Sequence, residues 1–246
     1  LFVPERRISK YYFPLMYTLT AAFTLLSALP LGYILPIFLI IPFSEISKQL
    51  CDRMFSRIAK PKPIPRIDKK FIGDDAKTVI VFTTLLCSEK DGIEICKKLK
   101  DAYYSNREEN LRFGILADLC DSKTEENADD SRIIDNTKRE IDRLNHEIGE
   151  KFFLFTRKRS FSESEGRYIG WERKRGAVIS LANLICRKQT QLEVYGADSE
   201  FLYKAKFVIT LDSDTRLYFG AASEMICAML HPANKPEIKD GRVVSG

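Results

Sequence analysis

From Tyr11 to Phe43 the chain carries no charged side chain over 33 residues. One straight helix of that length would be ~50 Å long at ~1.5 Å per residue, whereas the hydrocarbon core of a bilayer is ~30 Å thick and takes about 20 residues to cross. One span leaves residues over, and two full spans do not fit comfortably. Pro30-Leu31-Gly32 lies near the middle of the run, where a break costs least. Arg6, Arg7 and Lys10 precede the run, and cations recur from Lys48 to Lys70. The positive-inside rule therefore allows a helical hairpin with both ends cytoplasmic, and a tilted span followed by an interfacial helix from Phe43 to Ile58 fits as well. The run is too long for a signal peptide and lacks a small-residue cleavage site.

Beyond this segment the chain reads as a folded, water-soluble domain. Over all 246 residues it is 45% hydrophobic and 30% charged, too apolar for disorder and without the bias of collagen or disulfide scaffolds. The net charge of +5 is spread over several clusters rather than one basic face interleaved with aromatics, so no nucleic-acid partner is expected. None of the six cysteines, Cys51, Cys87, Cys96, Cys120, Cys186 and Cys227, forms a CxxC pair. They sit in apolar or amphipathic runs, and the expectation is reduced core thiols.

Three segments follow: a membrane segment over 1–59, a stiff linker over 60–70 containing Lys60-Pro61-Lys62-Pro63-Ile64-Pro65, and a domain over 71–246. In the domain, apolar runs predict strands over 78–82, 111–117, 151–155 and 206–211. Between and after them, helical periodicity predicts helices over 89–104, 131–149, 171–187 and 219–230. This alternation implies an α/β fold, a mostly parallel sheet with flanking helices, whose ligand lies beyond the carboxyl ends of the strands. Residues 121–130 read as a polar loop.

Three strand ends and one helix start carry polar groups. Phe207 to Leu211 ends in Asp212-Ser213-Asp214, two carboxylates spaced i, i+2. They suit a hard cation, Mg²⁺ or Mn²⁺, that bridges diphosphate oxygens and stabilises a departing phosphate. A turn with its own Asp cap has the same pattern. Gly170-Trp171-Glu172-Arg173-Lys174-Arg175-Gly176, with Asn183 beyond, sets three cations at the start of a helix, where phosphate oxygens are well received. A solvated basic face anchored by Trp171 is the structural alternative. Asp118 closes the second strand, a position suited to a base or ribose hydroxyl, and Thr83 and Thr84 close the first. In combination these ends suit a nucleotide diphosphate and a metal. His231, followed by Pro232, reads as a helix end, and His146 as an exposed helix residue.

In this order the motifs resemble a nucleotide-sugar glycosyltransferase of GT-A type, and in detail the glycosyltransferase region of cyclic β-1,2-glucan synthases. The resemblance covers about Leu35 to Gly246. It rests on Pro63 to Asp68, Thr84-Leu85-Leu86, Gly170 to Gly176 with Asn183, Leu211 to Thr215, and His231 to Pro236. It implies transfer of glucose from UDP-glucose to a growing β-1,2-glucan, with inversion and a metal. Thr83, Thr84 and Asp118 would lie near the uridine, and Arg173, Lys174, Arg175, Gly176 and Asn183 around the rest of the donor. Asp212 and Asp214 would hold Mg²⁺ or Mn²⁺. It also implies a multi-pass protein of the cytoplasmic membrane with its catalytic domain in the cytoplasm. The partners would be UDP-glucose, a glucan acceptor and the lipid bilayer. The general base is expected beyond Gly246, the chain being read as a donor-binding segment inactive alone. Other readings stay open: a processive transferase of different linkage, or a non-catalytic nucleotide-binding scaffold or sensor.

Overall fold

The computed structural model describes residues 6–32, 35–58, 63–68 and 72–245. Of the linker predicted over 60–70, residues 60–62 and 69–70 lie outside them. The chain divides into two compact units, Leu1–Ile64 and Pro65–Gly246.

The first unit is a helical hairpin of α1 (Arg6–Leu31) and α2 (Leu35–Ile58). The helix ends where the sequence predicts a break, at Gly32, whose φ of +71° is a left-handed conformation that glycine adopts without Cβ strain. The helices are antiparallel. Tyr12 donates to Asp52 at 2.5 Å and meets the Phe55 ring at 5.3 Å, while Phe23 meets Phe43 at 6.0 Å. Hydroxyls in α1 bond back to the preceding turn: Thr18 to the Leu15 carbonyl, Thr20 to Met16, Thr24 to Thr20 and Ser27 to Thr24. Such internal bonds leave little polar group to hydrate, as an apolar surrounding requires. Leu25, Leu26 and Leu29 point outward, exposed. Among the described residues one helix, Lys10–Pro30, is long and apolar enough to cross a membrane.

The second unit is an α/β fold around a five-stranded sheet. Its strands are β1 (Thr78–Leu86), β2 (Leu111–Leu119), β3 (Phe152–Arg157), β6 (Leu192–Gly196) and β7 (Phe207–Asp212), in spatial order β6-β3-β2-β1-β7. The pairs β1–β2, β2–β3 and β1–β7 are parallel, and only β6, at one edge, is antiparallel. Alternate residues of β1 feed two cores. Ile80 and Phe82 join Leu99 of α3 (Glu89–Ser105), Ile141 and Leu144 of α4 (Asp130–Ile148) and Ile226 of α7 (Ala221–Leu230). Val79 and Val81 face Ala177 and Leu181 of α5 (Arg173–Ile185) and Phe201 of α6 (Glu200–Tyr203). With both faces covered, β1 is apolar almost throughout instead of alternating. In α4 Ile133 is buried, one turn before Thr137. Thr137 lies so close to Gly92 of α3 that a side chain there would collide with it.

Small elements complete the unit: the hairpin β4 (Ser160–Ser162) and β5 (Arg167–Ile169), and the hairpin β8 (Glu237–Lys239) and β9 (Arg242–Ser245). His231 ends α7, and its Nδ1 accepts from the Ala233 amide at 3.1 Å, so it caps the short 3₁₀ turn Pro232–Asn234. His146 is exposed.

The expectation of reduced cysteines needs one correction. Cys87 and Cys120 are joined by a disulfide, with Cα atoms 5.1 Å apart. Parallel pairing sets Leu86 opposite Leu119, so the next residue of each strand meets its counterpart. Cys51, Cys96 and Cys227 are buried and free, and Cys186 is exposed and free.

Candidate functional site

The chain runs outward from β1 to β2 to β3, then returns to place β7 on the other side of β1. The carboxyl ends of β1 and β7 therefore flank a topological switch point, where an open α/β sheet leaves a crevice. A cavity of about 480 Å³ opens there. Thr83, Thr84, Asp118, Arg173, Lys174 and Asp212 line it, and Asp91, Glu94 and Lys98 of α3 form a further wall.

Thr83 stands opposite Asp212 in the β1–β7 register. Its hydroxyl donates to the Leu211 carbonyl at 3.1 Å and lies 3.5 Å from Asp212 Oδ1. Lys174 Nζ is paired directly with Asp212 Oδ1. The Asp212 side chain is 60% exposed. The hydrogen bond and charge of Lys174 hold its carboxyl below the usual carboxylate range. Lys98 ties the following residue, donating to the Ser213 carbonyl at 2.8 Å while pairing with Glu94 at 3.0 Å. Two lysines from different helices thus brace the turn after β7, and the Thr215 amide closes it on the Asp212 carbonyl at 2.9 Å.

Asp118 is buried and held by Arg157, a residue to which the sequence reading gave no role. Arg157 Nε and Nη2 donate to the two carboxylate oxygens at 2.5 and 2.7 Å. Its Nη1 and Nη2 also donate to the carbonyls of Trp171 and Arg173 at 2.7 and 2.6 Å. One planar fork therefore fixes an acid at the end of β2 and the turn that starts α5. In that turn Glu172 and Arg173 have φ of +52° and +49°, a conformation costing non-glycine residues about 1–3 kcal/mol each unless the surroundings impose it. The two glycines of the motif allow close approach. A Cβ on Gly170 would strike the Asp118 carboxylate, and one on Gly176 the Trp171 carbonyl and ring.

Arg173 reaches Asp121 at 3.1 Å and Glu165 at 2.6 Å, and these partners, Asp121 first, hold its guanidinium above its ordinary pKa. The loop over 121–130 is more than a connection. Ser122 exchanges backbone hydrogen bonds with Tyr168 at 2.9 and 2.8 Å. Buried Arg159 binds the Cys120 and Glu125 carbonyls and the Asp130 carboxylate.

Of the sequence-predicted residues, the cavity thus gathers Thr83, Thr84, Asp118, Arg173, Lys174 and Asp212. Arg175 is exposed and pairs with Glu172 at 2.5 Å, Gly176 packs under Trp171, and Asn183 lies late in α5, half-buried. Asp214 is exposed two residues past Asp212, outside the lining set. Arg157 carried one usable signal, its position two residues after the apolar run Phe152 to Phe155, at a strand end. Lys98 carried none, since a lysine in an amphipathic helix reads as solvated.

Among the described residues no cluster of three or more His, Cys, Asp or Glu is arranged to hold a metal ion. A hard divalent cation that takes phosphate oxygens into its shell needs only one or two carboxylates from the protein. The exposed carboxylates of Asp212 and Asp214 fit that donor chemistry.

No family model matches the chain. It is similar to the cyclic beta-(1,2)-glucan synthase NdvB of Rhizobium meliloti, at 32% identity over 215 residues, 84% of this chain and 8% of that protein. The chain thus spans less than a tenth of the curated relative it matches. Over that stretch it is a relative of a cyclic β-1,2-glucan synthase.

Proposed function

We propose that the chain is the donor-binding part of a membrane-associated glycosyltransferase that moves glucose from UDP-glucose to a growing β-1,2-glucan with inversion. The observation that carries this reading is the gathering of three polar strand ends and the basic start of α5 around one cavity, in a chain similar to a glucan synthase. Thr83, Thr84 and Asp118 receive the uridine, Asp118 being held rigid by Arg157. Arg173 and Lys174, at the start of α5, receive the diphosphate. Asp212 and Asp214 hold Mg²⁺ or Mn²⁺, which supplies positive charge to the departing nucleotide diphosphate. Lys174, already paired with Asp212, adds a second cation at that end. An inverting transfer also needs a general base for the acceptor hydroxyl, and none is assigned among these residues. The glucan is the acceptor, and the α1–α2 hairpin anchors the protein in the cytoplasmic membrane with the second unit on the cytoplasmic side.

The test is titration calorimetry of UDP with Mn²⁺ or with a chelator, on the full chain in detergent. UDP is expected to bind more tightly with the metal. Asp212→Ala combined with Asp214→Ala should remove that metal-dependent gain, a loss of about tenfold or more, equivalent to about 1.4 kcal/mol. Unchanged metal-dependent binding in the double variant would sink the metal assignment.

A further inference from the structure

We propose that Cys87 and Cys120 form a reversible thiol–disulfide site that sets the donor affinity of the neighbouring cavity. The inference rests on the donor-site reading above. Its geometry comes from the sheet: Leu86 pairs with Leu119, the two cysteines follow at the adjacent parallel strand ends, and their Cα atoms are 5.1 Å apart. Cys87 is exposed and Cys120 half-buried. A small thiolate can therefore reach the sulfurs, the condition for exchange. Buried Cys96 differs: burial first, and then the Glu140 charge, push its thiol up to about 12.

The bond joins two walls of the cavity. On the β1 side, Cys87 leads into Ser88, the N-cap of α3. The Asp91 carboxylate gathers the Cys87 and Ser88 amides at 2.9 and 2.8 Å. That helix supplies Asp91, Glu94 and Lys98 to the cavity, and Lys98 reaches the turn after β7. On the β2 side, Asp118 lies two residues before Cys120, and Asp121, the next residue, holds Arg173. The disulfide thus adds a covalent tie between the α3 wall and the Asp118–Arg173 wall at the strand ends, and its loss loosens the two loops that follow β1 and β2.

The chemistry is thiol–disulfide exchange with a dithiol. One reductant thiolate attacks a sulfur of the pair, the S–S bond breaks, and a mixed disulfide forms. The second reductant thiol then displaces the protein sulfur. Two electrons and two protons end on the Cys87 and Cys120 thiols, and the dithiol leaves as its own disulfide. A small-molecule disulfide runs the reverse.

The test compares UDP affinity, with Mn²⁺, of the full chain oxidised by glutathione disulfide and reduced by dithiothreitol. Peptide mass spectrometry follows the Cys87–Cys120 bond. Affinity should fall about fivefold or more on reduction, a normal size for coupling between sites, and return on reoxidation. Cys87→Ser with Cys120→Ser should bind like the reduced protein and ignore the redox state, whereas Cys186→Ser should keep the response. Equal affinity in both states, or no bonded peptide after oxidation, overturns the proposal alone. A chain that binds no UDP in either state overturns the donor-site reading, and this proposal with it.

Discussion

Arg157 shows how much one side chain decides at this site. Its fork satisfies both oxygens of buried Asp118 and two carbonyls of a turn whose backbone would otherwise relax. Removing one partner of a buried pair leaves the other charge desolvated and alone, at a cost of about 3–5 kcal/mol. Arg157→Ala should therefore destabilise the second unit by about that amount in urea unfolding. Arg157→Lys should recover little of it, since an ammonium cannot span the planar carboxylate and both carbonyls. A loss under about 1 kcal/mol, the range of exposed pairs, would mean the fork does not hold the site. Thr83, Thr84, Asp118 and Asp212 were legible because each lies at or beside the polar end of an apolar run, and Lys174 because it lies among three cations at the start of a helix. Arg157 was hidden in a run of three basic residues that also reads as a solvated face. Gly170 and Gly176 were legible as a motif, but their reason, room for the Asp118 carboxylate and the Trp171 carbonyl, exists only in three dimensions.

At the scale of elements, periodicity located the long pieces. The four predicted strands and four predicted helices all appear, and β1 and β2 extend further than read, carrying Thr83, Thr84 and Asp118 inside the strands. The antiparallel edge strand β6, the hairpin β4–β5 and the short α6 were not read. Each is a few residues long, so local pattern gives little signal and tertiary contacts decide. Helix α5 begins at Arg173 rather than Trp171 because the left-handed turn at Glu172 and Arg173 delays it. The cysteine pair was unreadable because strand register is not written in the sequence between them.

The polar loop over 121–130 is also held in place, clamped by Arg159 on Asp130. Burial alone would raise the Asp130 carboxyl. The Arg159 fork and the Asn127 amide outweigh it and leave its pKa below the ordinary value. A carboxyl depressed in the folded state adds stability that is present above its unfolded pKa of about 3.9 and lost as pH falls through the folded value. Asp130→Asn should therefore flatten the pH dependence of stability below about pH 4. Unfolding followed by circular dichroism across pH 2 to 7 checks this, and an unchanged acid slope would exclude the contribution.

At the scale of the molecule, an apolar helical hairpin precedes an α/β unit whose strand ends make one polar cavity. The 33 uncharged residues made the hairpin legible, and the break at Gly32 falls where the sequence is weakest as a helix. The order of strands in the sheet was not legible, yet it is what brings Asp212 beside Thr83 and makes the cavity. The central claim is that this cavity receives the nucleotide sugar. Photolabelling with 5-azido-UDP-glucose, followed by peptide mapping, tests it most directly. The account predicts UDP-protected labelling of the peptides containing Thr83-Thr84 and Asp118. Labelling confined to other peptides, or undiminished by excess UDP, would contradict it.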